Sequence, residues 1–115
     1  MIINSLLITL LLSTTPALEP VDNSPRYVEK RLVEIISRDL NRQEAKCAHF
    51  IAHHESRFGL HSRNKQSGAY GVFQLMRVDK RLTLQQQIDR AIRYAQKRYG
   101  SFCKAKVEWQ EKRWW

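Results

Sequence analysis

Apolar residues recur along this chain at three- and four-residue steps in several stretches, and that spacing predicts amphipathic helices. In the first, RYVEKRLVEIISRDL over residues 26–40, the apolar positions are Val28, Leu32, Ile35, Ile36 and Leu40. Asn41 then stands where a cap is needed, and Glu44 three residues on completes a capping-box pattern. A second helix is expected from about Arg42 to Arg57, with Cys47, Ile51 and Glu55 on one stripe and Ala48 and Ala52 beside it. Gly59 ends that pattern. Residues 59–71, GLHSRNKQSGAYG, are polar and glycine-containing, which reads as a loop or a small hairpin. Residues 72–76, VFQLM, are apolar except for Gln74. Thr83 and Gln86 form a second capping-box pattern ahead of Leu84, Ile88, Ala91, Ile92, Ala95 and Tyr99, a helix that stops at Gly100. Ser101 caps a last helix carrying Phe102, Ala105 and Trp109. No strand of convincing length, no repeat and no low-complexity segment is found. The expected fold class is mainly α, in one domain over residues 26–115.

The N-terminus follows a different pattern. Residues 1–12, MIINSLLITLLL, carry no charge, and the apolar run from Leu6 to Leu12 leads into the small and polar residues STTPA. Thr15 and Ala17 fit the small-residue positions of a secretory cleavage site, although the usual positive n-region is missing. The run is shorter than the roughly 20 residues that span a bilayer. Residues 1–17 are therefore read as a signal peptide, with an uncleaved membrane anchor as the alternative, and residues 18–25, LEPVDNSP, as a linker. The expected destination is the periplasm or the extracellular wall, with no stable membrane insertion after cleavage.

Charge and cysteines sharpen this picture. The 115 residues include 20 Lys and Arg against 11 Asp and Glu, a formal charge of +9. Such a balance favours an anionic partner: nucleic acid, anionic lipid or a bacterial wall polymer. A solvated basic face without a partner is the plain alternative, and an export signal argues against nucleic acid. Cys47 and Cys103 are the two cysteines, and in an exported protein an even count suggests a bridge. Closing so long a loop contributes about 4 kcal/mol in the chain-entropy description. Two buried free thiols are the alternative.

The stretch IAHHESRF, residues 51–58, holds the candidate chemistry. His49 and His53 are four apart on one helical face, a spacing that lets two imidazoles reach one zinc ion. The zinc-protease pattern H-E-x-x-H is nevertheless absent, because alanine follows His49, and no cysteine cluster lies nearby. His54 and His61 fall on other faces or in the loop. No metal and no cofactor are expected. Glu55 is different: it sits at the end of the second helix, on the stripe of Cys47 and Ile51. A carboxylate on a buried face holds its proton to higher pH and can serve as a general acid. The plainer reading is a glutamate at a helix edge, paired with an arginine.

From Ile51 the chain reads IAHHESRFGLHSRNKQSGAYGVFQLM, which resembles the core of the soluble lytic transglycosylase family, part of the lysozyme-like superfamily. That family carries E-S-x-F at a helix end and then G-A-x-G-L-x-Q at the wall of the glycan cleft. Here the elements stand as Glu55-Ser56-Arg57-Phe58 and Gly68-Ala69-Tyr70-Gly71-Val72-Phe73-Gln74. The tail, RYAQKRYGSFCKAKVEWQEKRWW, is similar to the end of small bacterial and phage-type members. The resemblance spans about residues 27–115. Two departures stand out: the A-Y-N-x-G element of larger enzymes is replaced by RYAQKRYGS, and the stretch from Met76 to Leu84 is short, leaving one cleft wall low.

The resemblance implies a small lysozyme-like domain and a peptidoglycan-cleaving reaction. Glu55 would protonate the oxygen between N-acetylmuramic acid and N-acetylglucosamine, then take a proton from the muramic 6-hydroxyl as that oxygen attacks C1. A 1,6-anhydro end results. Ser56 would help hold the muramic acetamide or Glu55, and Gln74 would hydrogen-bond sugar. Gly68 and Gly71 would supply a tight turn and close backbone approach to glycan. Tyr94, or Tyr99 in its place, would lie near the acid. The implied partners are peptidoglycan strands and an envelope-spanning secretion, conjugation or phage assembly, not nucleic acid, and a monomer is expected. A lysozyme-type hydrolase on the same fold and a non-catalytic wall- or nucleic-acid-binding module are the other readings. Hydrolysis usually uses a second carboxylate; none lies between Glu55 and Gln74, which leaves Asp79 and Glu44 as candidates. Trp109 reads more as core than as a sugar platform, and Trp114 and Trp115 fit either role.

Overall fold

Serine, asparagine, threonine and serine again cap four helices in a computed structural model that describes residues 22–115. The signal-peptide assignment at residues 1–17, and residues 18–21 of the expected linker, lie outside the described residues. Helix α1 spans Pro25–Asp39, α2 Arg42–Ser56, α3 Leu84–Arg98 and α4 Phe102–Lys112. The expected mainly-α class holds: the only bridges among the described residues are two isolated antiparallel ones, Arg63 with Tyr70 and Tyr70 with Leu75.

Each boundary has a local cause. Ser24 Oγ accepts from the Tyr27 amide, and Pro25 occupies the first turn, where its missing N–H costs nothing. The linker thus ends one residue earlier than expected, and α1 ends at Asp39 because Leu40 turns extended. Asn41 Oδ1 accepts from the Glu44 amide at 2.8 Å. The returning half of that capping box does not form. The Glu44 carboxylate instead accepts from the amides of Phe102 (2.7 Å) and Cys103 (3.1 Å), so it caps α4 from across the fold. An anion at that helix N-terminus is favoured by the aligned peptide dipoles as well. Thr83 and Gln86 do form a reciprocal capping box at α3.

Helices α2 and α4 form the main packed pair, with α1 against α2 and α3. The Cys47–Cys103 disulfide joins them, with Cα atoms 5.0 Å apart. Leu32 and Ile36 of α1, Ile51 of α2, Ile88 of α3 and Phe102 of α4 are fully buried. Val72 and Phe73 complete this core from the connecting segment, the Phe73 ring packing tilted against Phe102 at 5.9 Å and Trp115 at 6.0 Å. Trp115 is itself buried, and its indole N–H donates to the Phe73 carbonyl at 2.9 Å. Trp114 beside it is half-exposed, flanked by Arg98 and Lys112 at 5.6 and 5.4 Å.

The long connection between α2 and α3 is ordered by polar side chains rather than by strands. Asn64 Oδ1 accepts from the amides of Gln66 and Ser67, and the Gly68 amide donates to the Asn64 carbonyl. This closes a tight turn in which Gly68 adopts φ +81°. Gln87 of α3, buried among apolar neighbours, accepts from the Val72 amide at 2.9 Å and donates to the Leu60 and Leu82 carbonyls at 3.1 and 3.4 Å. One amide side chain therefore pins three points of the connection to α3. Among the described residues no helix is long and apolar enough to cross a membrane.

Candidate active site

Glu55 lies in the last turn of α2, partly buried. Its Oε2 accepts a 2.7 Å hydrogen bond from the indole N–H of Trp109 on α4. Trp109 is buried, as the core reading expected, but its polar edge also serves the carboxylate. Phe50 meets it edge-on at 5.5 Å, His54 lies on it at 4.7 Å, and the Arg113 guanidinium sits 5.3 Å above the ring. Burial pushes the Glu55 carboxyl above its ordinary value of 4.5, while the Trp109 hydrogen bond pulls in the opposite direction. A carboxylate at the carbonyl end of a helix is also disfavoured as an anion.

The turn that follows holds Glu55 in place at a cost. Arg57 and Phe58 both take left-handed backbone angles, φ 53° and 65°, unusual for residues with a Cβ. Each such residue costs about 1 kcal/mol or more. The conformation is held by the Arg57 amide donating to the His53 carbonyl and by burial of the Phe58 ring. Ser56 adds a strut: its hydroxyl donates to the Val72 carbonyl at 2.7 Å and accepts from the Gly59 amide at 3.1 Å. The Ser56 hydroxyl thus ties the end of α2 to the segment that follows.

Gln74 shares the left-handed strain, with φ 50°. Its Nε2 donates to the carbonyls of Ser62 (3.0 Å) and Gly71 (2.8 Å), which leaves Oε1 as the atom available to a ligand. Gly71 has φ +86°, and a Cβ there would lie 2.4 Å from Gln87 Oε1. The close approach that demands glycine at Gly71 is therefore made by Gln87. A Cβ on Gly68 would meet nothing within 4 Å, so only its backbone angle favours glycine.

Gln74 and Tyr94 come together in a groove of about 470 Å³, with Leu75, Met76 and Trp115. Burial raises the pKa of the Tyr94 hydroxyl, Arg98 opposes that, and the nearby Tyr99 and the Glu55 charge add to the rise. Glu55 itself does not line this groove. Tyr99 lies parallel to Trp115 at 6.3 Å and forms no part of the groove lining. A larger hollow of about 580 Å³ lies between α1 and α2, against Val33, Ile36 and Ala45, and Glu55 does not line it.

The two candidates for a second carboxylate are both engaged elsewhere. Glu44 caps α4, and eleven residues of helix put it roughly 16 Å from Glu55 along the axis. Carboxylate pairs of hydrolytic glycosidases stand about 5–10 Å apart. Asp79 is exposed and paired through both oxygens with Arg81, which holds its carboxyl below the usual range. The histidines do not converge on a common ligand position. His49 Nε2 lies 2.8 Å from Glu29, His61 Nδ1 lies 2.6 Å from the Tyr70 hydroxyl, and His53 packs edge-on to His54. Among the described residues one cluster has metal-ligand spacing, Glu44 with Cys47 and Cys103, and its sulfurs form the disulfide.

Two functional contributors escaped the sequence reading. Gln87 falls on the Leu84, Ile88, Ala91 stripe, and a polar residue in that register is the signal for it. The Trp109–Glu55 bond joins residues 54 apart and leaves no local signal. Comparison of the chain with protein-family models, with curated proteins and with solved structures finds no match.

Proposed function

We propose that this protein is a peptidoglycan lytic transglycosylase with Glu55 as its single acid and base. The observation that carries the reading is the environment of Glu55: partly buried, proton affinity raised, fixed by Trp109, with both candidate partner carboxylates committed elsewhere. One carboxylate suffices when the substrate supplies its own nucleophile. Glu55 donates its proton to the glycosidic oxygen as the bond from muramic C1 breaks. The carboxylate then accepts the proton of the muramic 6-hydroxyl while that oxygen closes on C1, and Glu55 returns to its starting state. No water is consumed and the product carries a 1,6-anhydro ring. Gln74 and Tyr94 are the groove residues that would meet the sugar. The motif order from Glu55 to Gln74 supports the same assignment, and the disulfide and the expected signal peptide support export to the wall.

Mass spectrometry of the products from purified peptidoglycan tests this, with the exported protein beside Glu55→Gln. Anhydro-ended muropeptides are expected, falling by about 10³-fold in the variant. Reducing ends that vanish in the variant would mean a hydrolase and a second carboxylate. No cleavage by either protein would refute the enzymatic reading and favour a wall-binding role.

A further inference from the structure

The groove beside Tyr94 has a charged wall that the reaction itself does not use. Arg90, Arg93 and Lys97 stand at steps of three and four along α3, so they share one face and line the same hollow as Tyr94 and Trp115. All three are exposed, and no acidic residue lines the hollow. Among the described residues none of the three takes part in an ion pair, whereas Arg31, Arg38, Arg81 and Lys112 each do. Like charges at this spacing repel slightly, and a bound anion would relieve that repulsion. The floor beneath them is apolar and aromatic, with Trp115 buried and Met76 more than half exposed. That combination suits a ligand with a nonpolar body and several acidic groups spread along it.

We propose that Arg90, Arg93 and Lys97 form a subsite for the carboxylates of the peptide stems, so that the enzyme takes peptide-substituted rather than bare glycan. This rests on the transglycosylase reading above. The stem leaves the muramic unit through its lactyl ether and carries free carboxylates along an otherwise aliphatic chain. With sugar against Gln74 and Tyr94, a stem running along α3 meets the three cations in turn. Polyanionic nucleic acid would also be attracted to such a face, but the hollow is lined by Gln74, Tyr94 and Trp115 as well, which favours a ligand bearing sugar.

Binding separates this proposal from the catalytic one. The probe is a set of solubilised glycan strands with intact stems, used beside the same strands with their stem carboxylates converted to neutral amides. Affinity is measured in the Glu55→Gln background, which leaves strands uncut, with and without Arg90→Gln, Arg93→Gln and Lys97→Gln together. Amidation is expected to weaken binding about tenfold with the cations present and not at all without them, as several exposed charge pairs acting together allow. The contrast should shrink as salt rises. Equal affinity for charged and amidated strands would overturn the subsite, as would a contrast that survives in the triple variant, or tighter retention of duplex DNA than of either strand. The single variant Lys97→Gln, keeping part of the contrast, guards against misfolding of the triple one. Failure of the catalytic reading shows separately, as absence of cleavage by the parent protein.

Discussion

Trp109 Nε1 stands 2.7 Å from Glu55 Oε2, an indole proton aimed at a carboxylate from a neighbouring helix. Hydrogen bonding to the charged form lowers a carboxyl pKa, while burial raises it, and here burial dominates. General-acid activity requires the protonated form, so it should fall as pH rises through the elevated Glu55 pKa. Trp109→Phe keeps an aromatic ring and removes the donor. The alkaline limb of kcat/KM should then move to higher pH, with a loss of rate of about tenfold from poorer positioning. A pH–rate profile of both proteins checks this, and an unmoved limb would refute the coupling.

The same pKa shift predicts a pH-dependent stability. Because the folded pKa lies above 4.5, the folded state binds the Glu55 proton more tightly than the unfolded chain does. Stability is therefore lost as pH rises from about 4.5 through the folded value. Glu55→Gln is neutral at every pH and retains an acceptor for Trp109. Its melting temperature should match the parent at pH 4 and exceed it at pH 8; the opposite order would mean that the anion is the favoured form.

Gln87 is expected to be among the most sensitive positions outside the site. Gln87→Leu leaves the Val72 amide and the Leu60 carbonyl without their partner and should cost about 3 kcal/mol in urea unfolding. Gly71→Ala should also destabilise, by about 1–3 kcal/mol, since a Cβ would collide with Gln87 Oε1 on a backbone already at φ +86°. Loss of stability below 1 kcal/mol in both would show that the connection is held some other way.

Helices were legible because their signals are local. The apolar stripe of Val28, Leu32, Ile35 and Ile36, and caps such as Thr83 with Gln86, act within a few residues, and folding leaves them in force. Glu44 marks where that logic stops. Its amide obeys the local capping pattern, but its carboxylate goes to α4, 58 residues away, where two unsatisfied amides and the helix dipole compete more strongly for it. Residues 59–71 were legible as a loop, but the path of 59–82 was not, since it depends on Gln87, Ser56 and Asn64 side chains reaching backbone groups. At the candidate site, Glu55 stood out from its helix position and motif. Trp109 was legible only as an aromatic.

Removing the disulfide should be felt strongly. Cys103→Ser with Cys47→Ser is expected to lower stability by about 4 kcal/mol. Urea unfolding of the oxidised parent and the double variant measures it. A loss under 1 kcal/mol would mean that the packed α2–α4 pair and the Glu44 cap hold those helix ends without the bridge.

The bridge has a mechanical side as well. Cys47 precedes Glu55 on α2 and Cys103 precedes Trp109 on α4, so with both pairs in contact the two helices run side by side in the same direction. They form a pair of tongs, with a covalent pivot at one end and a proton-bearing grip at the other. Each arm is about 10 Å long, and a splay of about 5° at the pivot opens the jaws by roughly 1 Å. That is enough to carry a 2.7 Å hydrogen bond beyond useful range. Loosening at the sulfur end would thus register first as a change in how tightly Glu55 keeps its proton, well before the domain lost its shape.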